Sequence, residues 1–482
     1  VRSLALLAVC VAVPAAAQTE PQAEPGAAPA TATEAWQAPT LTITRYDEHW
    51  TQLADPAQRD AHWTDPFKYI PLQSDAYLTT GIELRARSEN YRHNLWGSAP
   101  APNDSYLWLR AMPYADLHIG TGAIGVRGFV QPIVAYAVGV APAAGPVDQT
   151  GVDLLQGFVD VRIGAADTGS TTSAGATLRV GRQMLSLGSE RLVGTRYGPN
   201  VPLAFDGVRA LLSLRGAAIT VLAVHPVQSG TRSFDNTRSR TRSLRGAYMT
   251  VPAIGAGSGL DLYYLDYRNT AATFGGLTGR EVRRSVGARV FGHAANWHWN
   301  VEGIVQFGRF AGQRIGAWTL GTEIGRAFPK APLAPDAVLR INVVSGDTRP
   351  GDGRLGTFNA LFPKGKYFGE LSPVGPTNII NVNPRVAMAL SPKVSASLAG
   401  MAYWRYARSD GVYDIPGNLI RAPGTATARF IGKEAEATLA WQTMPELELS
   451  TSFSVFAPGG FIRQTGPAKT ITMLGFESNF RF

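Results

Sequence analysis

The chain has 482 residues, a formal charge of +9 and a single cysteine, Cys10. One cysteine excludes a disulfide framework and any multi-thiolate metal site, and the basic balance points to acidic ligands or anionic surfaces without choosing among them. Mean hydropathy is −0.04, and no window after the first residues approaches the apolar run a transmembrane helix needs.

Val1 to Ala17 carries one charge, Arg2, then an apolar run through Val13 and the small residues Ala15, Ala16 and Ala17. This reads as a secretory signal peptide over residues 1–17, with cleavage after Ala17. It contains Cys10, so the exported chain is expected to hold no cysteine. Residues 18–64 open on a stretch rich in Ala, Pro, Thr and Glu. They are expected to form a disordered or periplasmic lead, with residues 65–482 as a single domain.

From Asp75 onward apolar and polar residues alternate. Leu78, Thr80, Ile82, Leu84 and Ala86 take one parity, against Thr79, Glu83, Arg85, Arg87 and Glu89. Further along, Leu107, Leu109 and Ala111 oppose Trp108 and Arg110, and Val301, Val305 and Phe307 oppose Asn300, Glu302 and Gln306. The chain given ends on Leu474, Phe476, Phe480 and Phe482 against Glu477, Asn479 and Arg481. Period-two alternation marks strands with one apolar and one polar side. About eighteen such segments predict an all-β fold, a transmembrane antiparallel barrel of the outer membrane of a Gram-negative bacterium. The competing reading, a soluble sandwich, does not account for connection lengths. Arg215-Gly216-Ala217, residues 293–296, Ser391-Pro392-Lys393 and residues 442–446 are short, while residues 94–105, 184–204, 227–242, 345–383 and 406–425 are long, as periplasmic turns and external loops should be. The string Gly120-Thr121-Gly122-Ala123-Ile124-Gly125 matches a dinucleotide fingerprint, but a strand follows it where a helix is required, so it reads as a turn.

With the polar parity inward, the lumen would carry Arg85, Arg87, Arg110, Arg127, Arg162, Arg179, Arg209, Arg283, Arg289, Arg340 and Arg405, with Asp160 among the acids. Guanidinium forks favour carboxylates and hold their charge. The alternative is that these charges pair across the lumen to hold the barrel together. A basic loop with Arg232, Arg238, Arg240 and Arg242 is expected to meet anionic lipopolysaccharide. Phe358, Phe362, Lys364 and Tyr367 lie in the longest loop, which is expected to fold into or over the mouth.

Three stretches, GRQMLSLGSERLVG from Gly181, AFDGVRALL from Ala204 and FNALFPKGKYFG from Phe358, resemble the alginate export family. DPFKYIPL from Asp65 and YLTTGIELRAR from Tyr77 are similar to its N-terminal end. The resemblance implies an eighteen-stranded outer-membrane barrel passing anionic uronate polymer, and it points to Arg182, Arg191, Asp206 and Arg209 as further binding residues. Strict alternation from Arg179 would send Arg182 to the lipid side, so the strand is expected to end before it. The family's polymer exporters plug the lumen with a long periplasmic segment, whereas the late periplasmic turns here are short, which favours an open channel.

The expected function is therefore a passive channel for anionic saccharides or other carboxylates, with a non-conducting structural or adhesive barrel as the alternative. Neither cofactor nor metal is implied. An enzyme is disfavoured, because Glu434 and Glu436, roughly 7 Å apart on one strand, have no histidine or serine beside them in sequence. Expected partners are the solutes, outer-membrane lipid with lipopolysaccharide, and the barrel-assembly machinery through Phe482. Nucleic acid is not expected, and the barrel should be a monomer.

Overall fold

The computed structural model describes residues 39–59, 62–120, 122–164 and 174–482. The expected signal peptide and the first part of the lead lie outside them. Eighteen long antiparallel strands form a closed barrel. They are β1 Ala76–Arg92, β2 Asp104–Ile119, β3 Ile124–Val138, β4 Gly151–Gly164, β5 Gly175–Met184, β6 Ala204–Leu214, β7 Ala217–Gln228, β8 Arg242–Gly255 and β9 Ser258–Phe274. The circuit continues through β10 Leu277–Ala294, β11 Trp297–Phe310, β12 Gln313–Ala327, β13 Asp336–Val344, β14 Ile379–Ser391, β15 Val394–Arg405, β16 Phe430–Met444, β17 Leu447–Pro458 and β18 Ile471–Arg481. Closure comes from β1, which pairs with β2 on one side and with β18 on the other. Phe482 completes the seam, its N–H donating to the Ile82 carbonyl at 3.1 Å while its own carbonyl accepts from Ile82 N at 3.2 Å.

Alternation sets the two faces. Leu84, Leu109, Val130, Val159 and Val180 stand exposed on the outside, and Glu83, Arg85, Arg110, Asp160 and Arg179 are buried inside. At the lower rim, where β1 starts, the turns are short, including Arg215-Gly216, Ala256-Gly257, Ala295-Asn296, Pro392-Lys393 and Pro445-Glu446. The upper rim carries the long connections, with two exceptions to the expected sorting. β9 turns into β10 through Gly275-Gly276, and β11 into β12 through Ala311-Gly312. All four residues have positive φ, as the tight hairpin turn that matches strand twist demands.

The lumen is far from empty, because three segments enter it. Residues 39–59, expected as part of a disordered lead, run up inside the lower half. Arg45 Nη2 donates to the Phe482 carbonyl at 2.8 Å. Tyr46 donates its hydroxyl to the Met184 carbonyl at 2.7 Å and sets its ring edge-on to Phe129 and Phe158. Tyrosine suits such a position, giving a large apolar area and one polar end that finds an acceptor. From above come the loop 185–203 and the loop 345–378. They join by a parallel bridge between Val193 and Phe362, in which Gly194 N donates to Phe362 O at 2.8 Å and Phe362 N to Leu192 O at 2.9 Å. Their apolar side chains, Leu185, Leu187, Val193, Phe358, Phe362, Phe368 and Leu371, pack with inward Phe205, Leu222 and Tyr403 into one core. The upper lumen is thus filled by a hydrophobic cluster of the usual interior kind.

Candidate functional site

Inward strand positions do bring the predicted arginines inside, but most already have partners. Arg110 reaches Glu83 at 2.6 Å and the carbonyls of Tyr197, Pro199 and Asn200. Arg85 donates to the carbonyls of Tyr197, Gly198 and Pro199. These two therefore clamp the loop 185–203 to the wall, which corrects their expected place as open solute ligands. A loop backbone bent into the lumen exposes carbonyls that need donors, and forked guanidinium groups supply several at once.

The same replacement recurs around the circuit. Arg87 binds Glu89, Glu370 and Glu477 at 2.6–2.7 Å. Arg127 grips Asp116 with two nitrogens and the Tyr46 carbonyl with one. Arg179 and Asp160 form a bidentate pair at 2.8 Å, with the guanidinium over the rings of Phe158 and Tyr46. Arg283 lies between Glu281 at 2.5 Å and Gln306 at 2.9 Å, and Arg340 meets Glu323 at 2.6 Å. Arg162 donates to the Gly120 carbonyl at 3.1 Å, and Arg209 stands opposite Arg179 in the register of β5 and β6. Arg405 is spent on the carbonyls of Arg408, Asp410, Ala426 and Ala428 near the upper rim.

Arg182 needs a separate correction. β5 does not end before it but runs to Met184, without a bulge against either neighbour. Alternation holds, so Arg182 is on the parity of exposed Val180, near the upper rim, and pairs there with Asp206 at 2.7 and 3.0 Å. The energetic reason is mutual: each charge on the outward side satisfies the other's fork. Arg191 lies on the inserted loop and bonds Glu302 at 3.1 Å, Asn342 at 2.7 Å and the Tyr367 hydroxyl at 2.6 Å. Burial pushes the Tyr367 phenol up, so it stays neutral and accepts from Arg191. Phe358, Phe362 and Tyr367 are buried in the upper core, and Lys364 N donates to the Glu190 carbonyl at 3.0 Å. Glu434 accepts from Tyr403 at 3.0 Å and Glu436 from Glu370 N at 2.6 Å.

A cavity of about 850 Å³ lies in the lower lumen on the side of β8 to β12. Its wall presents Arg289, His293, His298, Asn300 and Glu323, with Arg481 from β18. Thr40, Thr42, Thr44 and Asp47 of the N-terminal segment face it, and Ser186, Gly188 and Glu190 of the loop form its roof. Gly188 has φ +54°, and a Cβ there would fall 2.0 Å from the Tyr248 hydroxyl, so this close approach of loop to wall requires glycine. Arg289 bonds Asp261 at 2.8 Å and Asn300 at 2.9 Å. Arg481 has no carboxylate partner among the described residues. Sequence reasoning placed Arg481 inward but did not single it out. No signal marked residues 40–47 as cavity wall, since that stretch lies outside the alternating pattern.

A comparison with curated protein sequences finds no match. Solved outer-membrane porins share the fold. Pseudomonas aeruginosa OpdK with vanillate superposes with a TM-score of 0.56 at 12% identity, over 86% of this chain and 100% of that one. Pseudomonas aeruginosa OccK2 (OpdF) in complex with glucuronate gives 0.55 at 11%, over 84% and 98%. A BenF-like porin from Pseudomonas fluorescens Pf-5 gives 0.56 at 9%, over 84% and 98%. The family model described as alginate export matches residues 76–475, from the first barrel strand into the last. With the closed eighteen-strand wall and the two family stretches bridged inside it, that match shows that the chain belongs to the alginate export family.

Proposed function

We propose that the protein is an outer-membrane channel that passes small carboxylated solutes, sugar acids of uronate size among them, and excludes polymer. The family and the porin neighbours support the outer-membrane location. The exposed apolar outer face is then the lipid-facing wall, the lower rim periplasmic and the upper rim external. The observation that carries the reading is Arg481, a guanidinium on the cavity wall without a carboxylate partner among the described residues, lining the same cavity as Asn300 and Arg289. Most of the other inward arginines hold loops, carboxylates or neighbouring strands. A cavity of this size suits one small ligand, and the packed upper core narrows the way for a chain of rings. The solutes in the OccK2 and OpdK complexes, glucuronate and vanillate, are both carboxylates, which supports the same class here.

Swelling of liposomes carrying the purified protein tests this. Glucuronate should enter faster than glucose, and uronate oligomers should not enter. The double variant R289Q/R481Q should lose the preference by about tenfold, the equivalent of ~1.4 kcal/mol. Equal rates for glucuronate and glucose, or entry of the oligomers, would overturn the reading.

A further inference from the structure

The outer face of the barrel is not uniform in charge. On β8, Leu244 and Tyr248 are buried inward, so Arg245 points out. The same alternation turns Arg268 of β9, Arg280 and Arg284 of β10, Arg309 of β11 and Arg314 of β12 to the outside, where all are at least partly exposed. Five of them form two rows across the wall, with Arg280 above on β10. Arg245 is registered with Asp266 and Asp266 with Arg284. One step higher, Arg268 is registered with Val282, Val282 with Arg309, and Arg309 with Arg314. Asp266 is the acid among them, 2.8 Å from Arg268 and 3.5 Å from Arg284. Arg245, Arg280, Arg309 and Arg314 have no carboxylate partner among the described residues.

Position along the strands gives the band its meaning. The outward residues just below it are apolar and exposed: Leu262 and Tyr264, Val286, Val305 and Phe307, Trp318 and Leu320. Elsewhere around the barrel the upper outward charges stand apart, with Arg92 and Lys433 single and Arg182 paired with Asp206, among uncharged positions such as Leu107, Tyr136, Leu474 and Phe476. The hairpins joining β9 to β10 and β11 to β12 above the band are the two shortest of the upper rim, and the long loop 345–378 borders it at Arg314, where Arg354-Leu355 pairs alongside Arg314-Ile315. The band thus lies at the upper edge of the apolar belt, open to whatever borders that belt. Guanidinium forks bind phosphate in bidentate fashion, and each basic residue at an anionic membrane surface adds to the attraction. Neighbouring strands lie ~4.8 Å apart. Arg245 and Arg284, and likewise Arg268 and Arg309, are two strands apart, which spaces the cations for more than one phosphate on a single headgroup.

We propose that this arginine band is a binding site for the phosphorylated glycolipid of the outer leaflet, with its guanidinium groups on the sugar-linked phosphates. The proposal rests on the outer-membrane reading above. It requires no part of the lumen.

Native mass spectrometry of the full-length protein, after incubation with bisphosphorylated lipid A, its dephosphorylated form or phosphatidylglycerol, is the test. Bisphosphorylated lipid A should be retained at least tenfold better than either alternative. The variant R245Q/R284Q/R309Q should lose that retention by tenfold or more, and the single variant R309Q, which removes a side chain without a carboxylate partner among the described residues, by about fivefold. Heat-modifiable migration on a gel reports folding of each variant, and if the triple variant misfolds the single one decides. Equal retention of the dephosphorylated lipid, preference for phosphatidylglycerol, or full retention by folded R309Q would overturn the site. Conductance of the same preparations is read separately, so failure of the channel reading would show as silent bilayers with lipid retention intact.

Discussion

Arg110 illustrates what a charge does once it is inside this wall. Its ion pair with Glu83 at 2.6 Å is buried on both sides, and three carbonyls of the inserted loop depend on the same guanidinium. Reversal to glutamate would leave Glu83 and those carbonyls uncompensated, a loss of about 3–5 kcal/mol for a broken buried pair. The variant R110E should therefore lose heat-modifiable folding or show a clearly lowered unfolding temperature, and a folded R110E with altered ion selectivity alone would contradict the assignment. The face of Arg110 was legible in the sequence because alternation encodes it. Its partner was not, since the carbonyls of Tyr197, Pro199 and Asn200 come from a loop far along the chain. Arg481 escaped for the opposite reason: what distinguishes it is the lack of a partner, and no local pattern records that.

At the scale of elements, the two stretches that carried the family resemblance turn out to touch. The loop from GRQMLSLGSERLVG and the loop from FNALFPKGKYFG meet at the Val193–Phe362 bridge, with Arg191 on the Tyr367 hydroxyl. V193P should unpin both loops together and raise channel conductance, because proline at the bridge introduces a ring where a parallel strand pair must fit. Unchanged conductance would show that the loops hold without it. The N-terminal segment is anchored differently. Lys68, just below β1, donates to the Thr80 carbonyl at 3.0 Å and the Tyr114 hydroxyl at 2.8 Å. Burial, with Arg45 adding and Glu48 partly opposing, pushes its ammonium down from the usual 10.5 to about 7. Between pH about 7 and 10.5 the undocked chain holds the proton that the docked one has lost, so docking strengthens as pH rises through that window and is weakest below it. Protease cleavage of residues 39–59, corrected for the protease's own pH response, should accordingly be faster at pH 6 than at pH 9. K68M should flatten the difference, and an equal difference in K68M would place its cause elsewhere. None of this anchoring was legible, because the segment's few aromatic and charged residues show no period.

The whole molecule is the part the sequence revealed best. Strand alternation gave the closed wall and the sense of each face, and connection lengths gave the two rims, apart from the two hairpins whose tight turns at Gly275-Gly276 and Ala311-Gly312 keep the upper side short there. The state of the lumen could not be read in this way. Strand periodicity describes the wall alone, whereas the filling is set by where three non-periodic segments go. They pack the upper half as a core and leave an opening below, beside Arg289 and Arg481. On the proposed function, that opening lies on the solute's path and Arg481 is the cationic group beside it. A planar-bilayer recording of the purified protein under a salt gradient tests this most directly. An anion-selective conductance that millimolar glucuronate blocks, and whose selectivity falls in R481E, is the predicted result, while cation selectivity or a silent bilayer would contradict it.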